Sequence, residues 1–339
     1  MKKLRLNPIT KRWVISTEED NSFDKIEGKQ AQTKPADCPF CLGNESMTPP
    51  ETDADRPKGG KPNSPGWLTR TVPNKFPALE NSLGTKVEKK GIFQKREGFG
   101  FHEVIIETPD HNKTILDLSQ EEIIRIINVY RRRFIFLSKD KRFKYILIFK
   151  NHGLAAGASL EHPHTQLICL PIVPKRVTEE LDSTRDYFEK NNECMFCKIV
   201  KEEKKEKIRV ILENEDFIAF CPFFSRSPFE VTILPTRHQS DFSKIDDRQI
   251  ENLSSILKEL LVKLGNILGD YPYNFLIHTN PINSKDKDSI NYKFYHWHIE
   301  FLPKLGEIAG FEWATGGYIN PLLPESAAKQ LREASCQKR

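Results

Sequence analysis

Nowhere in its 339 residues does the chain hold an uninterrupted apolar run long enough to cross a bilayer. Met1-Lys-Lys-Leu-Arg5 leads into Asn7 and Pro8 rather than into an apolar signal core, so a soluble cytoplasmic protein with no membrane partner is expected. A dominant charge is missing too: 52 lysines and arginines face 47 aspartates and glutamates, a net charge of +5, and the basic residues are dispersed rather than gathered in a stripe. That argues against nucleic acid as a partner, and the charge run at 201–207 reads as a solvated turn. The seven cysteines do not form a disulfide framework. Four stand as two Cys-x-x-Cys pairs, Cys38/Cys41 and Cys194/Cys197, a spacing that in a chain without a signal core favours metal. Cys169, Cys221 and Cys336 have no such spacing and read as buried or incidental thiols.

What the chain does hold is enough for two cores, since 339 residues at 38% hydrophobic content exceed one ordinary domain. Residues 47–66, rich in Pro, Gly, Asp and Lys, read as a loop. A strand is expected at 101–107, a helix at 118–137 with Ser119 as N-cap and Glu121 and Glu122 in its first turn, and strands at 145–149 and 166–170. The same order recurs further on: strands at 208–211, 217–220 and 229–234, an amphipathic helix at 247–268, then strands at 274–277 and 296–301. The segment 101–111, Phe-His-Glu-Val-Ile-Ile-Glu-Thr-Pro-Asp-His, resembles 228–238, Pro-Phe-Glu-Val-Thr-Ile-Leu-Pro-Thr-Arg-His. Each half also shows Cys-x-x-Cys, strand, histidine, long helix, strand and His-x-His in that order, so the expected fold is α+β, two copies of one unit, with halves at 1–175 and 176–339.

Two thiolates on one turn need two more ligands for a tetrahedral zinc, and neutral imidazoles suit them. The repeat assigns Cys38, Cys41, His111 and His162 to one site and Cys194, Cys197, His238 and His296 to a second, with His278 and His298 competing for its fourth place. Two zinc ions per chain, closed by four protein ligands and therefore structural, are expected. In Glu161-His-Pro-His-Thr-Gln166 an extended backbone sends His162, His164 and Gln166 to one face. With His162 held by zinc, His164 is free to attack the α-phosphorus of a nucleoside diphosphate sugar through one ring nitrogen, while the other donates to a carbonyl. The preceding loop offers Gly153 and Gly157 for close backbone approach and the Asn151 and Ser159 side chains as phosphate donors, and Gln166 can donate its amide.

These residues resemble the galactose-1-phosphate uridylyltransferase family of the histidine-triad superfamily. The resemblance runs from about Leu6 to Glu333, through Cys-Pro-x-Cys and Gly-Asn-Glu (38–45), Asn-x-Phe-x-Ala-Leu (74–79), Thr-Pro-x-His (108–111) and Asn-x-Gly to His-Pro-His-x-Gln (151–166). It implies histidine-triad-like halves, antiparallel sheets with helices packed on them, and His164 as the residue that carries the nucleotide. It further implies Asn74 as a nucleotide contact, Asn151, Ser159 and Gln166 at the phosphate, and Glu312 near the hexose. A homodimer whose active sites borrow residues from the partner is implied as well, acting on an NDP-sugar with a sugar 1-phosphate as acceptor. Three features depart from the family. Trp13-Val-Ile-Ser-Thr17 leads into Glu18-Glu-Asp20 where arginines are common, so one phosphate contact is not carried over. The second Cys-x-x-Cys and the tail 309–321 look closer to the ADP-glucose phosphorylase branch, which uses inorganic phosphate as acceptor. Well-known uridylyltransferases instead place a carboxylate and histidines around a second metal. Finally, Glu300 stands where the second His-x-His would need its glutamine, so the second half is expected to keep metal binding and support but no nucleophile.

Overall fold

The computed structural model describes residues 2–17, 35–57, 59–114, 116–283 and 292–336; the acidic segment 18–20 lies outside them. Strands β1 (Lys2–Leu6) and β2 (Trp13–Thr17) open the chain, followed by β3 (Asp53–Asp55), β4 (Thr69–Pro73), the hairpin β5 (Val87–Lys90) and β6 (Phe93–Arg96), and β7 (Phe101–Ile106). Helix α1 (Gln120–Leu137), β8 (Tyr145–His152) and β9 (His164–Leu170) complete the first half. Then come α2 (Lys175–Asn191), α3 (Met195–Glu206), β10 (Val210–Glu213), β11 (Phe217–Phe220), β12 (Val231–Pro235), α4 (Asp247–Leu268), β13 (Tyr273–His278), β14 (His298–Pro303), α5 (Gly310–Thr315), β15 (Tyr318–Asn320) and α6 (Pro324–Glu333). The fold is α+β, as the sequence implies.

Ten strands form one antiparallel sheet in the order β10-β11-β12-β14-β13-β8-β9-β7-β4-β3. The order is a palindrome of the two halves, each contributing five strands, joined where β13 pairs with β8. The long helices repeat as well. Ser119 accepts from the backbone of Glu122 and Glu122 returns the bond, and Asp246 and Gln249 do the same at α4; each such box contributes about 1 kcal/mol. Apolar residues at three- and four-residue spacing, Ile123, Ile126, Ile127, Tyr130 and Phe134 on α1 and Ile250, Leu253, Leu257, Leu260 and Leu264 on α4, bury both helices in one shared core. Ile105, Ile148 and Leu167 from one half and Ile233, Phe275 and Ile299 from the other face that core.

The opposite face is covered differently in the two halves. In the first, Cys38, Phe40, Cys41 and Trp67 pack on Val72, Val104 and Ile106. In the second, α2 and α3 lay Val177, Leu181, Met195 and Phe196 over Ile218, Phe220 and Leu234. Two expectations are corrected here. Residues 201–206 are the last turns of α3, not a turn, because Lys198 and Glu202 pair at i,i+4 and Val200 and Glu203 are buried. Residues 47–66 are not all loop: β3 pairs with β4, and Glu51 holds both Arg56 and Arg70.

Candidate active site and metal tetrads

The turn that closes when Cys41 N donates to the Cys38 carbonyl puts two thiols on one side. His111 and His162 arrive from the end of β7 and the start of β9, and the four ligand atoms all lie within 4.8 Å of one another. His111 Nδ1 is 3.2 Å from Cys41 Sγ, and His162 Nδ1 is 3.6 and 3.8 Å from Cys41 and Cys38 Sγ. A tetrahedral zinc with Zn–S of about 2.3 Å and Zn–N of about 2.0 Å sets such pairs roughly 3.5 Å apart. His162 Nε2 donates to the Thr108 carbonyl at 2.7 Å, which leaves Nδ1 unprotonated and able to ligate. Burial, then the neighbouring Cys38, pushes the Cys41 thiol up to about 12, an opposition to charge that a bound cation reverses. Cys194, Cys197, His238 and His296 converge in the same way, Cys197 Sγ lying 3.4 and 3.6 Å from the Nδ1 atoms of His238 and His296. His278 and His298 stand apart from this second tetrad.

His164 begins β9 opposite Ile106, and Gln166 lies opposite Val104, so His102, His164 and Gln166 share one face of the sheet. His164 Nδ1 donates to the His162 carbonyl at 2.8 Å, which leaves Nε2 unprotonated with a free lone pair. Burial lowers its pKa to about 4, so the ring is neutral at physiological pH. Phe40 packs against it at 5.4 Å. On the opposite face Lys150 donates to the His164 carbonyl at 3.3 Å and to Glu107, which also accepts from Thr165 and Tyr130. Burial opposes charge on Glu107, but Lys150 holds the carboxyl below its usual range. The strand carrying His164 is thus pinned from behind by a charged pair that hydropathy patterning does not mark.

Asn151 ends on β8 with its Oδ1 accepting from Asn274 Nδ2 of the second half at 2.8 Å. Asn274 also donates to the Ala156 carbonyl at 2.9 Å, tying the Gly153–Gly157 turn to the seam. Gly153 is needed by the fold itself. A Cβ there would meet Pro272 Cβ at 2.8 Å, and the backbone sits at φ +78°, so its close approach is to protein. At Gly157, with φ +87°, the nearest atom to a Cβ is Asn151 Nδ2 at 3.6 Å. Ser159 is exposed on the same loop, and Asn74 lies beside His102.

The family model described as galactose-1-phosphate uridyl transferase, N-terminal domain, matches residues 1–174, and the corresponding C-terminal domain matches 180–337. The chain belongs to the galactose-1-phosphate uridyl transferase family. It is 37% identical to ADP-glucose phosphorylase of Arabidopsis thaliana, over 98% of this chain and 93% of that protein. It is 31% identical to galactose-1-phosphate uridylyltransferase of Thermotoga maritima, over 99% and 100%. The structure of the Arabidopsis ADP-glucose phosphorylase with bound ADP-glucose superposes with a TM-score of 0.82 at 36% identity, covering 99% of this chain and all of that one. A solved uridylyltransferase gives 0.75 at 27%, covering 98% and 97%.

In this member of the family the second half keeps the backbone of the site and changes its content. His298 Nδ1 donates to the His296 carbonyl at 3.1 Å, repeating His164, and burial again lowers the ring to about 4. Over it lies His278, stacked at 4.7 Å and set between Glu180 at 3.3 Å and Glu300 at 3.4 Å. Burial works against charge on His278, but the two carboxylates raise it to about 9, so it is an imidazolium. Glu300 takes Arg176 Nη2 at 2.7 Å and Arg226 Nη2 at 3.0 Å. The donor atoms of Glu180, His278 and His298 lie within 4.8 Å of one another, and in this arrangement the histidinium supplies the positive charge. Sequence reading found Glu300 but not Glu180 or Arg176, because α2 has no counterpart among the described residues of the first half. Glu312 belongs to this side of the molecule: its Oε2 accepts from Ala309 N, and it lines a 260 Å³ cavity with Arg176, Arg226 and Lys304.

Proposed function

We propose that the protein is a nucleotidylyltransferase working by double displacement on His164. The observation that carries this reading is the His162–His164–Gln166 row: one imidazole within the tetrad, the next locked with Nε2 unprotonated, and an amide two residues on. Nε2 attacks the α-phosphorus of an NDP-sugar, the P–O bond to the sugar phosphate breaks, and the sugar 1-phosphate leaves. The proton stays on Nδ1, held by the His162 carbonyl. An acceptor phosphate oxygen then attacks the phosphoramidate and releases imidazole. Gln166 and Asn151 donate to the charge that develops at phosphorus, Ser159 and the Gly153–Gly157 turn border it, and Asn74 contacts the nucleotide.

Both tetrads suit zinc, Cys38, Cys41, His111 and His162 in one and Cys194, Cys197, His238 and His296 in the other. Four protein ligands each make the ions structural, and they order the strand ends that carry the site. The chain divides near residue 175, and it works in the cytoplasm, consistent with the absence, among the described residues, of a helix long and apolar enough to cross a membrane. It forms a homodimer. Leu4, Ile15 and Ile319 stand in register on the small sheet β1-β2-β15, with Trp13 and Trp313 exposed beside them, an apolar face that a second copy covers. Such packing is the route by which Glu312 reaches a hexose at the partner's site.

Two acceptors fit this reading. Hexose 1-phosphate, with UDP-glucose as donor, is the conventional family reaction. Inorganic phosphate, with ADP-glucose as donor, is favoured by the second cysteine-containing tetrad and the tail. Incubation with UDP-glucose and with ADP-glucose should add a nucleotidyl mass to His164 and release glucose 1-phosphate, with the His164→Gly protein as control. Discharge of the isolated adduct by phosphate faster than by galactose 1-phosphate assigns the phosphorylase reaction; the reverse assigns the uridylyltransferase. No adduct from either sugar overturns the nucleotidyl reading.

A further inference from the structure

His102 is absent from every role so far, yet it is buried and its ring is fully engaged between two parts of the site. Ala78 N donates to its Nδ1 at 3.3 Å, which assigns the ring proton to Nε2, and Nε2 donates to Gln166 Oε1 at 2.9 Å. The Asn74 amide lies alongside the same ring, and Asn74 N donates to the His102 carbonyl at 2.8 Å. With Oε1 of Gln166 turned to His102, the amide's two N–H groups point the other way. Burial lowers the His102 pKa, which keeps the ring neutral with a single proton to place.

The second half supplies an independent comparison. Thr232 pairs with Glu300 as Val104 pairs with Gln166. Two residues back along each strand the first half has His102 and the second has Glu230. There Arg226 bridges Glu230 to Glu300. The half that has lost the glutamine has therefore lost the histidine with it, and a Glu–Arg–Glu chain fills the same two positions.

We propose that His102 is a positioning residue for nucleotidyl transfer: it fixes the amide of Gln166 with its N–H groups toward the phosphate and links that amide to the Asn74–Ala78 segment, so that seating the nucleoside aligns the phosphate donor. The inference rests on His164 carrying the nucleotide. Its consequence is a loss of rate rather than of binding, since an amide free to rotate still lets the substrate in but presents its oxygen to the phosphate for part of the time.

The test uses the rate of adduct formation on His164 in the full-length, metal-loaded protein, with UDP-glucose and ADP-glucose as donors. His102→Leu should slow the adduct by roughly 10- to 100-fold, the effect typical of a residue that orients a group in direct contact, with KM unchanged. His102→Gln places a donor where Nε2 was and should restore most of the rate, whereas His102→Asn places it where Nδ1 was and should not. Both polar variants serve if the leucine variant fails to fold, with metal content and thermal melting as controls. Added to Gln166→Met, His102→Leu should cost nothing further, because it acts through that amide. An unchanged rate in the folded His102→Leu and His102→Asn proteins, or losses that multiply in the double variant, overturns the proposal. A wild-type protein that forms no adduct overturns the nucleotidyl reading instead.

Discussion

The two halves place a histidine at the same point of the same strand with the same hydrogen bond, and differ in what lies on top of it. His164 packs against Phe40, two residues from Gln166; His298 faces His278, Glu180, Glu300 and two arginines. Backbone geometry and tautomer are therefore common to both sites. Among the described residues, α2 brings Arg176 and Glu180 onto the second site and no α-helix packs on the equivalent face of the first, so the cation and anion positions of the second half are filled from within the chain. The internal Arg–Glu–His cluster pairs its charges within the chain.

The most severe way to probe the comparison is where the halves agree. Cys41→Ser and Cys197→Ser should each remove one zinc equivalent, measured by metal analysis, and on the order of 10 kcal/mol of metal-linked folding energy, seen as a collapse of the melting transition. Unchanged metal content in either variant breaks the equivalence of the tetrads. Next, His164→Gly should reduce nucleotidyl transfer by roughly 10⁴-fold or more while His298→Gly leaves the adduct intact; intact-mass measurement distinguishes them, and an adduct lost from folded His298→Gly would mean that both halves do chemistry. Glu300→Ala removes the carboxylate shared by Arg176, Arg226 and His278, which keep Glu180 and Glu230 as partners, so denaturant unfolding should show a loss of about 2–3 kcal/mol without a change in adduct chemistry at saturating donor. The smallest effect is a pH dependence. Because the folded value of His278, about 9, lies above its ordinary 6.5, its contribution is complete below about pH 6.5 and disappears as the pH rises through about 9. Wild type should exceed His278→Gln by about 1–3 kcal/mol at pH 6, and the gap should close by pH 10; a gap independent of pH refutes the imidazolium.

The repeat was legible in the sequence because each half carries its cysteines, its capped long helix and its His-x-His in one order, and those features report local geometry. The alignment at one strand was a residue out. Matching His111 to His238 sets Val104 against Val231, whereas the sheet sets Val104 and Thr232 in equivalent pairs, since the link from strand to histidine is one residue shorter in the second half. Phe229, in the left-handed region at φ 57°, marks the irregularity just before that strand. The row from His162 to Gln166 was legible through its period of two. His102, Lys150, Glu107, Asn274 and Glu180 were not, because each acts by a contact 14 to 123 residues away in sequence, fixed only when the sheet assembles.

The joint between β8 and β13 has a consequence for how the chain can be cut. Five residues of β8, from Ile148 to His152, find their partners in the other half, and Asn151 is held by Asn274 across that line. A fragment ending after β9 would present β8 as a bare strand border, apolar at Ile146, Ile148 and Phe149, with nothing to stop it from pairing with another such fragment. The half that carries His164 thus depends on the other half as its edge guard, which gives a reason for both halves to persist.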